Sequence, residues 1–84
     1  MEKKNNRRKL NEAKFTNWID LPNDGRKYWY HVEGKFGFRA RYVKEVDSQE
    51  RTAKFYQEIY DKDNRLVEIH EKFPEDRGHK KLKR

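Results

Sequence analysis

The sequence predicts a small, mainly β fold: a four-stranded antiparallel meander, curled or closed into a partial barrel, with at most one short N-terminal helix. Three observations predict it. From residue 26 onward apolar and polar side chains alternate with a period of two, as on a pleated strand. The alternating runs are rich in aromatic and β-branched residues, and each is bounded by turn-forming residues. At 84 residues the chain supports one domain with a modest core.

Residues 1–9 are polar and charged, offer nothing to bury, and read as a mobile basic tail. Over 10–21, Leu10, Ala13, Trp18 and Leu21 fall loosely on one helical face, with Asn11 as a cap and Pro22 as a stop. "PNDG" closes the 10–25 segment as a turn. The meander then occupies 26–74: "KYWYHVE", a hairpin at Gly34, "FGFRARYVKEV", a "DSQER" loop, "TAKFYQEIYD", a "KDN" turn, and "LVEIHEKFP". In the last turn Asn64 suits the left-handed conformation of a short bulged loop. Residues 75–84 read as a second basic tail.

Alternation assigns Phe36, Phe38, Ala40, Tyr42, Val46, Ala53, Phe55, Ile59, Val67, Ile69 and Phe73 to a core face. The opposite face carries Arg39, Arg41, Val43, Glu45, Lys54, Tyr56, Glu58, Tyr60, Leu66, Glu68, His70 and Lys72. Counting outward from a three-residue "KDN" loop sets Tyr60 against Leu66, Glu58 against Glu68, and Tyr56 against His70. Two facing glutamates repel unless a cation stands beside them. Counting back through "DSQER" supplies one, either Arg41 or, with the register slipped by two, Arg39.

That row supports two readings. Paired carboxylates beside an arginine and an imidazole could carry out acid–base chemistry, with Glu58, Glu68, His70 and His79 as catalytic groups. The same residues could instead form a solvent-facing ion-pair ladder that keeps the strands in register. A binding surface made of Arg39, Arg41, Tyr56, Glu58, Tyr60, Glu68 and His70 is the third use of this face, since basic and aromatic groups on a sheet stack bases and neutralise phosphates. Tyr28, Trp29, Tyr60 and Leu66 exceed what one small core covers, so either a protein partner, a homodimer included, or the 10–21 segment must cover them.

Composition narrows the chemistry further. The chain has no cysteine, which removes thiol nucleophiles, disulfides and cysteine-held metal clusters. His31, His70 and His79 do not follow a metal-ligand spacing, so no metal and no cofactor are expected. There is no glycine-rich phosphate loop. Charged residues make up 44% of the chain against 32% apolar, yet aromatics reach 14%, which favours a folded chain over a disordered one. The net charge of +7 is carried by the ends: eight Lys/Arg against four Asp/Glu over 1–27, nine against nine over 28–74, and five against two over 75–84. Basic ends of this kind can be drawn to phosphate backbones, and can equally serve as solubilising tails. No apolar run is long enough for a bilayer and "MEKKNNRRKLNE" lacks a secretory signal's apolar segment, so the expectation is a cytoplasmic protein with no membrane partner.

The string over 37–82, "GFRARYVKEV…FYQEIYD…LVEIHEKFPEDRGH", resembles a family of small uncharacterised prokaryotic proteins with the pattern G-[WF]-x-A-R-Y-x-K, then F-x-Q-E-I-Y-D, then L-V-E-I-H-x-K-[YF]-P-x-D-x-G-H. The resemblance implies that Gln57, Glu58, Glu68, His70, Asp76, Gly78 and His79 belong to a shared motif, and brings no activity with it. The overall expectation is a non-enzymatic binding module for nucleic acid or a protein, with a small nuclease-like or toxin-type enzyme as the alternative.

Overall fold

The computed structural model describes residues 2–82, so Met1, Lys83 and Arg84 of the two basic ends lie outside the described residues. A helix, α1 (Glu2–Lys14), leads into one antiparallel sheet whose strands follow in sequence order: β1 (Asn17–Asp20), β2 (Arg26–Glu33), β3 (Arg39–Val46), β4 (Thr52–Tyr60), β5 (Leu66–Phe73) and β6 (His79–Lys81). The meander β2 to β5 lies where alternation predicts it. Among the described residues the sheet nonetheless has six strands, not four, and it is open, because the strand order runs from β1 to β6 with no closing pair. "NWID" and "HKK" are too short to show a period. They become strands by pairing with longer neighbours, Trp18 opposite Tyr28 and His79 opposite His70.

Helix α1 starts earlier than the 10–21 expectation and covers most of the segment that composition reads as a tail. Its Glu, Lys and Arg residues are good helix formers. Packing, which decides whether a short helix persists, comes from Asn11 and Phe15, one turn apart and both buried, with the Phe15 amide bonded to the Asn11 carbonyl at 2.7 Å. Leu10 points outward at 72% exposure, and Trp18 belongs to β1.

Phe15 seats the helix on one face of the sheet, where it joins Tyr28 and Val46 in the core with Tyr30 and Phe55 packed alongside. The rings form a continuous run: Phe15–Tyr30 at 5.3 Å between centroids, Tyr30–Tyr42 at 5.2 Å and Tyr42–Phe55 at 6.4 Å. Fully burying side chains of this size contributes about 1.5–3 kcal/mol each, so a few rings can hold a small fold.

Two features move residues away from their expected faces. The β2–β3 hairpin spans 34–38, closed by the Gly34 amide on the Phe38 carbonyl at 2.8 Å, with a 3₁₀ turn over Lys35–Gly37. Gly37 takes a φ of 80°, which lets the turn run on, and Phe36 is left 87% exposed rather than buried. Phe38, also expected in the core, is exposed as well.

The second feature is a pair of bulges in β5. Tyr60 does face Leu66, but Ile59 then faces Glu68, leaving Val67 as an extra residue; Tyr56 faces Glu71 and Phe55 faces Phe73, leaving Lys72 extra. Each bulge turns the following side chains to the other face. Glu58 therefore lies opposite Ile69 and His70 opposite Gln57, whereas simple counting pairs Glu58 with Glu68 and Tyr56 with His70. The Val67 carbonyl, displaced from its neighbour, accepts the Leu82 amide at 2.9 Å beyond β6.

The β3–β4 and β4–β5 turns are built alike. Asp47 Oδ1 accepts the amides of Gln49 and Arg51, and Asp61 Oδ1 those of Asp63 and Arg65, all at 2.9–3.0 Å. Each carboxylate is held below its ordinary pKa range, in each case first by the amide of the arginine four residues on. Glu50 and Asn64 occupy the left-handed position, with φ of 65° and 66°.

Candidate functional site

The sequence-predicted residues divide between the two faces of the sheet. On the face away from α1 lie Arg39, Arg41, Tyr56, Glu58 and Tyr60. Arg41 is opposite Glu58 in register, and its Nε donates to Glu58 Oε1 at 2.6 Å. Tyr60 donates to the same oxygen at 3.1 Å, and Tyr56 donates to Glu45 at 2.9 Å. Burial raises the phenol pKa of Tyr56, aided by Glu45, and that of Tyr60, aided by Glu58. Burial opposes the charge on Arg41, but Glu58 outweighs it and holds the guanidinium protonated. Beneath this lattice Val43 is fully buried between Trp29 and Tyr56 on the adjoining strands. Arg39 stacks over Tyr60 at 4.5 Å and hydrogen-bonds Asn64 and His31. The two arginines of this face are thus engaged within the sheet, and the arrangement is an ion-pair and aromatic lattice that fixes register.

On the other face stand Glu68, His70 and His79. The imidazoles of His70 and His79 face each other across β5 and β6 with centroids 4.3 Å apart. His70 Nε2 meets Asp76 Oδ1 at 2.6 Å, and His79 Nδ1 meets Glu68 Oε2 at 3.5 Å. Glu68, His79, His70 and Asp76 therefore form a row in which two imidazoles in ring contact are flanked by a carboxylate at each end. Asp76 is placed by the turn into β6, where it also accepts the Gly78 amide at 2.9 Å, with Gly78 at a φ of 65°. That amide, and then His70, hold the Asp76 carboxyl below its usual range. His70 Nδ1 is buried with no hydrogen-bond partner among the described residues. Gln57, across from His70, donates instead to the Tyr42 hydroxyl at 3.0 Å.

Asp76 is absent from the residues that alternation selects, since it sits in a segment read as a tail. The available signal was "PEDRGH", an acid, a glycine and a histidine at the spacing of a tight turn. His31 lies on the Arg41 face, so it and His79 stand on opposite sides of the sheet. Among the described residues no three His, Asp, Glu or Cys groups come together to hold a metal ion, and no helix is long and apolar enough to cross a membrane.

A third feature is α1 itself. Its inner side is tied down by Phe15, by Asn11 and Arg8 on Glu50, and by Glu12 on Arg26 at 2.7 Å. Lys3, Arg7, Lys9 and Lys14 are exposed along the helix, Lys14 at its C-terminal end beside the sheet. Of the aromatic groups expected to need covering, Tyr28 is fully buried under Phe15 and beside Trp18, while Trp29 and Tyr60 belong to the Arg41 lattice. Compared with known protein families, curated proteins and solved structures, the chain matches none.

Proposed function

We propose that this protein is a small non-enzymatic module that binds nucleic acid, with the phosphate backbone taken on the outer side of α1. The observation that carries this reading is the pairing of a docked inner side with four exposed cations, Lys3, Arg7, Lys9 and Lys14, along the rest of the helix. A helix held against a sheet presents its charges at fixed spacing, so phosphate contacts made there cost little further ordering. The strand arginines, by contrast, are satisfied by Glu58, Asn64 and Tyr60. The resemblance to small uncharacterised prokaryotic proteins supplies no activity, so the reading rests on the helix.

Fluorescence anisotropy with a labelled single-stranded RNA of mixed sequence tests it. Neutralising four phosphates gives a log–log salt slope of about −3, and replacing the four cations by glutamine flattens that slope and weakens binding. Absent or salt-insensitive binding removes the reading.

A second reading, a small nuclease-like enzyme, is favoured by the Glu68–His79–His70–Asp76 row, because each imidazole meets a carboxylate and two such groups side by side could serve as general acid and general base. It predicts that the protein cleaves an RNA probe and that His70→Ala or His79→Ala abolishes the cleavage. An intact probe after prolonged incubation with the unmodified protein excludes it. Glu58 has no part in this reading, since it lies on the other face.

A further inference from the structure

Where α1 ends, helix and sheet flank an open cleft of about 300 Å³ lined by Lys14, Phe15, Lys44, Thr52, Phe55 and Phe73. That volume lies at the lower end of the range used by small-molecule sites, about 300–1,000 Å³. Its apolar lining is aromatic. Phe55 and Phe73 face each other in register across β4 and β5, Phe15 closes the helix side, and Phe73 keeps 44% of its surface open to solvent.

Its polar lining is cationic. Lys44, opposite Phe55 in register, donates to Asn11 Oδ1 at 2.9 Å, and Lys14 Nζ stands 5.6 Å from the Phe15 ring centroid. Neither ammonium has a carboxylate in salt-bridge contact among the described residues. Burial and then the charge of Lys14 push the Lys44 pKa down, so these two like charges act on each other at a half-buried place. Glu50, the acid that opposes this, is occupied by Tyr28, Asn11 and Arg8. An anion between the two ammoniums would relieve their repulsion, and a flat apolar body behind it would cover the exposed Phe73 ring.

We propose that this cleft binds a small aromatic anion, its ring against Phe55 and Phe73 and its carboxylate or phosphate held by Lys14 and Lys44. The site goes beyond the phosphate contacts proposed for α1 but shares Lys14 with them, and a nucleotide presents the same ring-plus-anion chemistry as a free aromatic carboxylate.

The test follows backbone amide shifts of the ¹⁵N-labelled full chain during titration with 2-naphthoate, adenosine 5′-monophosphate and the neutral 2-naphthamide. The expected result is saturable movement of Thr52, Phe55 and Phe73 with at least one anion, and binding of the amide weaker by about tenfold, or about 1.4 kcal/mol. Response to the naphthoate alone identifies a free aromatic acid as the ligand class, and a tighter response to the nucleotide identifies a nucleotide. Phe73→Ala and Lys14→Gln each lower the affinity about fivefold or more, by loss of ring contact and of charge. Phe73→Ala leaves the salt slope of RNA binding unchanged, since that slope counts phosphate contacts rather than ring contacts, which separates failure here from failure of the helix reading. No movement with either anion, equal binding of the neutral amide, or unchanged affinity in both variants overturns the proposal.

Discussion

The Tyr28 hydroxyl donates to Glu50, and that buried carboxylate is where helix, strand and turn meet. Its oxygens also accept Asn11 Nδ2 at 3.2 Å and Arg8 Nε at 3.4 Å, both from α1, while Glu50 itself sits in the β3–β4 turn. Replacing the acid strands Tyr28 and Asn11 as buried donors and leaves Arg8 without its counter-charge. Glu50→Ala is expected to lower the unfolding free energy by about 2–4 kcal/mol. Glu50→Gln, which keeps an acceptor oxygen, costs about half that. Urea unfolding followed by tryptophan fluorescence reads both, and equal, negligible losses would show that the carboxylate does not organise the junction.

The same bond gives the protein an alkaline limit. Burial, and then Glu50, push the Tyr28 phenol up to about 12. A folded pKa above the unfolded value of about 10 means that this stabilisation is complete below pH 10 and is lost as pH rises toward 12, by on the order of 2 kcal/mol for Tyr28. Tyr56 shifts in the same direction, through burial and Glu45, and adds to the effect. Phenolate absorbance should therefore show part of the five tyrosines titrating late and together with unfolding. In Tyr28→Phe the late fraction shrinks. Simultaneous titration of all five near pH 10 with the fold intact contradicts the assignment.

The four strands of the meander were legible in the sequence because period-two alternation bounded by turn residues is a local signal with strong geometric consequences, and it narrowed the cation beside Glu58 to Arg41 or Arg39, of which the register selects Arg41. The faces of β5 were not. A bulge at Val67 or Lys72 adds one residue without any mark in composition, yet it reverses everything beyond it, and so Glu68 and His70 part from Glu58 and Tyr56. The helix was misplaced for a different reason. Its anchoring contacts are made by Asn11, Arg8 and Glu12 as much as by Phe15, and a search for apolar faces passes over polar anchors. His79 and Asp76 join His70 only because β6 pairs back onto β5, a non-local event that three residues of sequence do not announce.

The Arg41–Glu58 contact is expected to couple energetically. Its side chains are only 22% and 12% exposed, so solvent screens the pair less than an ordinary surface bridge. Glu58→Ala leaves Arg41 and Tyr60 without their acceptor and costs about 1–3 kcal/mol. In a double-mutant cycle with Arg41→Ala the coupling is about 1 kcal/mol or more. RNA binding is unchanged in Glu58→Ala if α1 carries it. A coupling near zero places the pair among surface bridges that contribute nothing measurable.

Asp76 is the tie that returns the chain to the sheet. It accepts the Gly78 amide and meets His70 Nε2, and it acts on β6 alongside strand pairing with β5, the His79–Glu68 contact and the Leu82 amide on the Val67 carbonyl. Because its pKa is depressed, first by the Gly78 amide and then by His70, the tie is in place above the ordinary carboxylate pKa of about 4 and weakens only as pH falls below that range. Asp76→Ala removes both interactions at any pH. The expected outcome is amide exchange at His79, Lys80 and Lys81 that is several-fold faster than in the unmodified protein, while the amides of β2 to β4 exchange as before. Asp76→Asn keeps an acceptor oxygen for Gly78 and recovers part of the protection. If β6 amides are equally protected in all three proteins, strand pairing and those other contacts hold this edge, and the imidazole pair does not depend on Asp76 for its position.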